Sequence, residues 1–227
     1  FDWFTTLYST HFRRVILALP FGSQIGFNIE KRIAIDGKGY GMRRDGLGSM
    51  WFSDEEKKIV TDMYGKTLLI GESCYWGCSS DDCTPFRSDT RYQMNSWRDV
   101  YEQTFQHAIE GHFNTLDLRE LPETKGWTEK ANDLVQKFIV RGGYRIHPCS
   151  VSLPVQAKTN SRVNITHEWK NSGNGYLPNN MPNWSYKYKP AFALFDQQGN
   201  LVQTWVDGSA EPSDWLHNEK HSYTYSI

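Results

Sequence analysis

The pattern of apolar and polar positions changes once along the chain, near residue 144. Before that point, short apolar runs alternate with longer segments in which apolar residues recur every three or four positions. The short runs predict strands and the longer segments predict helices. The predicted strands are residues 13–20, 39–45, 67–70 and 113–118. The predicted helices are residues 25–35, 53–64, 94–112 and 128–139.

Capping residues mark several helix ends. Ser53, followed three residues later by Glu56, forms a capping box that predicts a helix start. Thr128 predicts the start of the last helix in the same way. Glycines predict where three helices end, at Gly37, Gly65 and Gly142–Gly143.

The strand–helix order, repeated four times, predicts a parallel sheet, because each parallel connection needs a crossover helix. Four such units make half of a (β/α)8 barrel, a fold that typically needs about 250 residues. A four-stranded doubly wound domain is the alternative. No glycine-rich phosphate-binding loop follows any of the predicted strands, so we favour half of a TIM-type barrel over residues 1–143.

From residue 144 onward, short strand-like runs are separated by turn-rich segments. The predicted strands here are residues 151–155, 162–169, 191–195 and 201–206. Residues 171–175 form a turn-rich segment, and residues 198–200 predict a hairpin. We therefore predict an antiparallel β-sandwich domain over residues 144–227, itself incomplete. The chain begins at Phe1 and ends in a strand-like run, which we interpret as a fragment or one chain of a processed protein.

Composition and charge narrow the function classes. The formal net charge is −1 without a basic stripe, so the sequence does not favour nucleic-acid binding. No apolar run approaches the roughly 20 residues of a membrane span. Aromatic residues make up 15% of the chain against 38% hydrophobic residues, which suggests that some rings line a surface or groove. Sugar-handling proteins have such compositions, and so do proteins with large aromatic cores.

Three of the four cysteines lie within ten residues of each other. Cys74, Cys78 and Cys83 occupy a polar segment, and Cys149 lies further on. This pattern predicts disulfides in an oxidising compartment, with a zinc site or free thiols as alternatives. The sequons at Asn164 and Asn183 predict glycosylation and agree with a secreted or extracellular protein.

The most informative acidic residue is Glu72, which is separated from the end of the predicted buried strand 67–70 only by Gly71. Barrel enzymes place their chemistry at the carboxyl ends of the strands, so we predict Glu72 as a catalytic carboxylate. Asp45 is the last residue of the neighbouring predicted strand and is the second candidate. Arg43 or Arg44 could keep Glu72 ionised. A purely structural Glu72–Arg43 pair, and Asp45 as a turn cap, are the alternatives.

Further candidates are predicted to contact a substrate. His112 lies on the apolar face of a predicted helix and Asp117 ends a predicted strand; a buried core histidine and the start of a loop are the alternatives. Trp51, Tyr75 and Trp76 could stack on sugar rings or close the mouth of a barrel. No motif for a serine hydrolase, a zinc protease or nucleotide binding is present, and the sequence predicts no cofactor and no metal.

The chain also resembles a family of uncharacterised glycosidase-like proteins, defined by domain of unknown function 4832. The resemblance rests on the order and spacing of RRVILALPFG, GYGMRRDGLGS, LLIGES, GHFNTLDL, GGYRI, HEWKNSGNGYLP and DWL. It implies the C-terminal half of a barrel followed by a β-sandwich, with the four strands as the fifth to eighth.

By this resemblance, Glu72 ends the seventh strand, the place of the nucleophile in retaining glycosidases on this barrel. The acid/base residue would follow the fourth strand, ahead of Phe1, so a missing segment or a second chain would supply the first half of the barrel. The expected function is a secreted glycoside hydrolase-like protein that acts on or binds a polysaccharide or glycoconjugate. A non-catalytic carbohydrate-binding or structural extracellular protein is the alternative.

Overall fold

The structure of the chain, a computed structural model, describes residues 1–22, 24–49, 52–73, 96–119, 121–158 and 161–227. The helices in these residues are α1 (Asp2–His11), α2 (Gln24–Glu30), α3 (Asp36–Lys38), α4 (Asp54–Met63), α5 (Trp97–Glu110), α6 (Leu121–Lys130) and α7 (Asn132–Arg141). The strands are β1 (Ala18–Pro20), β2 (Gly41–Leu47), β3 (Leu69–Ser73), β4 (Thr115–Asp117), β5 (Ile146–Ser152), β6 (Asn164–Asn171), β7 (Ala191–Phe195), β8 (Leu201–Val206) and β9 (Lys220–Ser226). A π-helical turn, Lys31–Ile35, joins α2 to α3.

The first four strands form one parallel sheet whose spatial order, β1-β2-β3-β4, follows the chain. The remaining strands form two antiparallel sheets, β5-β6-β9 and β7-β8. The predicted α/β organisation is therefore confirmed: a parallel sheet built from strand–helix units, followed by separate antiparallel sheets.

The hydrophobic core lies on one face of the parallel sheet. Met42 and Leu69 are register partners in β2 and β3, are almost completely buried, and pack with Val60 of α4 and Ala108 of α5. Side chains alternate along a strand, so Arg43 and its register partners Ile70 and Thr115 point to the opposite face. That second face is more polar and is partly exposed.

The boundaries of β1 and β2 differ from the predicted ones. β1 contains only residues 18–20 of the predicted 13–20, because only Ala18, Leu19 and Pro20 have register partners in β2. β2 continues to Leu47, with an irregularity after Arg44. Arg43, Arg44 and Asp45 therefore lie inside the strand and not at its end.

Two helix predictions need correction. Thr128 does not start a helix but lies inside α6, an element that the sequence pattern missed. The following helix, α7, begins after Ala131. Gly37 does not end the second helical segment; that end lies at Gly39, whose φ of 68° is left-handed. The capping box of Ser53 and Glu56 is confirmed, with both of its hydrogen bonds formed.

In the antiparallel part, the strands at residues 191–195 and 201–206 are confirmed, with a tight turn at Asp196–Asn200 between them. The strand predicted at 151–155 lies earlier, at residues 146–152, because it pairs there with β6. Val155, which belonged to the apolar pattern, is 99% exposed. Among the helices of the described residues, none is long and apolar enough to cross a membrane.

Candidate functional site

Glu72 lies at the carboxyl edge of the parallel sheet, one residue before the end of β3. Its register partner in β4 is Asp117, so the two carboxylates start from neighbouring positions on the same face. Glu72 is 9% exposed, whereas Asp117 is exposed. Open α/β sheets and barrels both bind ligands at this edge, which makes it the first place to look for a site.

Two arginines hold the Glu72 carboxylate. Arg43, from β2, forms an ion pair with Oε2 of Glu72. Nε of Arg119 lies 3.3 Å from Oε1, on the other side. Positive charges on both sides favour the ionised carboxylate, since an opposite charge within about 4–6 Å stabilises the charged form. Glu72 is thus a buried, fixed anion.

Arg119 reaches Glu72 because the chain turns sharply after β4. Its φ of 67° is left-handed, and its backbone N–H donates to Oδ1 of Asp117 at 2.7 Å. Nε of Arg119 also lies 3.5 Å from Oε2 of Glu123, a buried residue of α6. Burial, together with the charge of Glu123, raises the pKa of nearby Tyr101 to about 12, so this phenol stays protonated.

The other charged residues of β2, Arg44 and Asp45, lie on opposite faces of the sheet. Asp45 is exposed and forms an ion pair with Arg43, so Arg43 bridges it to Glu72. Arg44 pairs through Nη2 with Oε2 of Glu56 at 2.9 Å, next to the capping box of α4. Strand alternation places Arg44 opposite to Arg43, on the helix-covered face. Arg43, Asp45, Glu72 and Asp117 therefore share a face from which Arg44 is absent.

The sequence pattern predicted that His112 lies on the apolar face of a helix, and this prediction is wrong. It lies beyond the end of α5 with a left-handed φ of 54°, and its ring stacks on Tyr64 with centroids 3.8 Å apart. Nδ1 lies 2.9 Å from the carbonyl oxygen of Asn174. Burial lowers the pKa of His112, although that contact partly opposes the effect. Because His112 precedes β4, it lies at the opposite edge of the sheet from Glu72.

Several predicted residues lie outside the described residues: Trp51, Cys74, Tyr75, Trp76, Cys78 and Cys83. Cys149 is an exposed thiol on β5. Asn164 is exposed at the start of β6. Asn183 is half-buried, and its Nδ2 donates to the carbonyl oxygen of Val15 at 3.0 Å.

The sequence reasoning missed Arg119 and Glu123. Arg119 stands two residues beyond Asp117, the strand-end residue that was identified, in the segment Asp117-Leu118-Arg119. A search for cations just after each strand would have found it. Glu123 belongs to α6, so missing that helix meant missing the residue.

In the described part of the chain, no three His, Cys, Asp or Glu side chains are grouped so that they could hold a metal ion. No protein-family model, curated protein or solved structure matches the chain.

Proposed function

We propose that this chain belongs to a secreted glycoside hydrolase-like protein that acts on or binds a polysaccharide or glycoconjugate. Glu72 is its nucleophile or its stabilising carboxylate. The observation that carries the proposal is a buried carboxylate at the carboxyl edge of a parallel sheet, flanked by Arg43 and Arg119. Such a fixed anion stabilises the positive charge that develops on a sugar ring as a glycosidic bond breaks.

The proposal includes a (β/α)8 barrel, and two features of the parallel sheet support it. Its strands follow the chain order, whereas a doubly wound sheet reverses its order at a switch point. Its core side chains lie on one face, as in a barrel whose helices form an outer ring. In this proposal four further strands, from a preceding segment or a second chain, complete the barrel, and the antiparallel sheets form a β-sandwich.

Hydrolysis needs a second carboxyl group, about 5–5.5 Å away in a retaining enzyme and about 6.5–9.5 Å away in an inverting one. Asp117 is the register partner of Glu72 on the same face and is exposed to solvent. Asp45 is the other acid on this face. Of the two, Asp117 is better placed to face a substrate next to Glu72, because Asp45 is tied to Arg43.

One observation favours a second candidate function, a non-catalytic carbohydrate-binding or structural extracellular protein. A general acid must carry a proton, and apolar surroundings favour that form. Asp45 is instead paired with Arg43, and Asp117 accepts a backbone N–H. Both acids are exposed to solvent, so neither lies in apolar surroundings, and they suit binding better than proton donation.

The two functions are separated by incubating the purified protein with a panel of polysaccharides and reading binding and released reducing ends from the same samples. Released sugar supports the hydrolase. Binding without released sugar supports the second candidate. The absence of both binding and product on every glycan would contradict the carbohydrate proposal as a whole.

A further inference from the structure

An aromatic cleft of about 590 Å³ opens in the antiparallel part of the molecule. Its volume is in the usual range for small-ligand sites, about 300–1,000 Å³. Its lining includes Arg145, Trp169, Trp184, Tyr188, Lys189 and Trp215. None of these residues belongs to the group around Glu72, so the cleft is a separate site.

The inner wall of the cleft is built from two stacked indole rings. Trp169 and Trp215 have ring centroids 5.3 Å apart and an interplanar angle of 17°. Nε1 of Trp215 donates to the hydroxyl oxygen of Tyr223 at 2.7 Å, and Nε1 of Trp169 donates to Nδ1 of His167 at 2.7 Å. Both rings are therefore fixed before any ligand arrives.

A network of buried hydrogen bonds holds Trp169 in place. An indole N–H can only donate, so Nδ1 of His167 accepts and the ring proton lies on Nε2. Nε2 in turn donates to Oδ2 of Asp207 at 3.0 Å, and both side chains are completely buried. Ser209 donates twice to the other oxygen of Asp207, from its backbone N–H and from its hydroxyl. This network positions the ring without touching a ligand.

The outer wall is more exposed. Trp184 and Tyr188 meet edge to face, with centroids 5.1 Å apart. Nζ of Lys187 lies over both rings, 5.4 Å and 4.8 Å from their centroids. Lys187 therefore adds a positive charge close to this wall.

The charged residues that line the cleft are both cations. Nζ of Lys189 contacts Oε2 of Glu211 at 2.9 Å and the carbonyl oxygen of Ala210 at 2.8 Å. Arg145 donates to the carbonyl oxygens of Tyr144 and Ile139, and no carboxylate of the described residues pairs with it. These contacts use three of its five N–H donors and leave one on each terminal nitrogen.

We propose that this cleft binds a sugar ring that carries a carboxylate, as in a uronic acid unit of a polysaccharide. The apolar face of the ring packs against Trp184 and Tyr188. The carboxylate accepts from the two remaining donors of Arg145, because a guanidinium fork matches the geometry of a carboxylate. Aromatic grooves also bind proline-rich peptides. The cationic lining favours an anion over a neutral peptide.

Titration calorimetry tests the proposal. It compares the binding of oligogalacturonate with that of the same oligomer after methyl esterification of its carboxylates. The charged oligomer should bind, and more weakly at high salt; the ester should not bind. Trp184→Ala and Arg145→Gln should each weaken binding about tenfold. The matched controls are Trp3→Ala and Arg13→Gln. Trp3 is an exposed indole far from the cleft residues in sequence, and Arg13 is an exposed arginine that also donates to a carbonyl.

Three results would overturn the proposal: equal binding of the acid and the ester, binding that survives both cleft substitutions, or no binding at all. A proline-rich peptide that binds while the oligomer does not would point to the other class of ligand. Thermal unfolding of each variant checks that it is folded. Binding at the cleft and sugar release at Glu72 depend on different residues. Either one can therefore be absent while the other is observed, so the two proposals can fail separately.

Discussion

Asp207 is a buried acceptor, and its loss should cost far more stability than the loss of an exposed carboxylate. Its Oδ2 accepts from Nε2 of His167 at 3.0 Å, and both side chains are 0% exposed. In Asp207→Ala, the His167 N–H is left without a partner in the interior, which costs about 1–3 kcal/mol. The two bonds from exposed Ser209 can be replaced by water and add about 1 kcal/mol. We expect a loss of about 2–4 kcal/mol in the free energy of unfolding.

The assay is urea unfolding followed by tryptophan fluorescence, because Trp169 and Trp215 lie next to this network. Ser209→Ala is the matched control: it removes only the hydroxyl bond to Asp207, at 2.6 Å, and should cost about 0.5–1.5 kcal/mol. Equal costs for the two variants would show that the His167–Asp207 contact contributes nothing to stability and does not hold Trp169 in place.

Two further predictions concern backbone strain and pH. In thermal unfolding, Gly48→Ala should destabilise the protein by about 2 kcal/mol or more, because φ is 90° and the new Cβ would lie 2.0 Å from Oγ1 of Thr104. Gly199→Ala is the control: its φ is 83°, but its surroundings are open, so it should cost clearly less in the same measurement. Burial raises the pKa of Asp207, but bonds from Ser209 and His167 outweigh it, and the pKa is lowered from its usual 3.8. The stability that Asp207 contributes is therefore present above pH 3.8 and lost as the pH falls through the lower folded value. As the pH is lowered below 3.8, the urea midpoint should fall less in Asp207→Ala than in the unchanged protein. An equal fall of the midpoint with pH in the two proteins would contradict a lowered pKa of Asp207.

Local signals predicted most of the parallel sheet. Each strand–helix unit has its own apolar run and periodic segment. The capping box of Ser53 and Glu56 depends on a segment of only four residues. Glu72 was found because a strand end is visible in the sequence. Strand lengths were less predictable, since they depend on pairing: Val15 and Ile16 belong to the apolar run, but the register with β2 begins only at Ala18.

Features made by distant segments could not be predicted. Arg119 reaches Glu72 only through a left-handed turn after β4, and periodicity does not reveal such a turn. His112 extended a helical pattern, yet the helix ends before it and its ring stacks on Tyr64. The cleft joins residues from 144 to 215, and no local pattern indicates that Trp169 and Trp184 line the same space.

The proposed role of Glu72, as the nucleophile or stabilising carboxylate of a carbohydrate site, is tested by the substitution Glu72→Gln. Glu56→Gln is the matched control, since Glu56 is also buried and paired with an arginine, but on the opposite face of the sheet. On a glycan that the unchanged protein cleaves, Glu72→Gln should lower the rate of sugar release by about 10²–10³-fold. The folded Glu56→Gln variant should stay close to the original rate. Equal rates for Glu72→Gln and the unchanged protein would contradict the account.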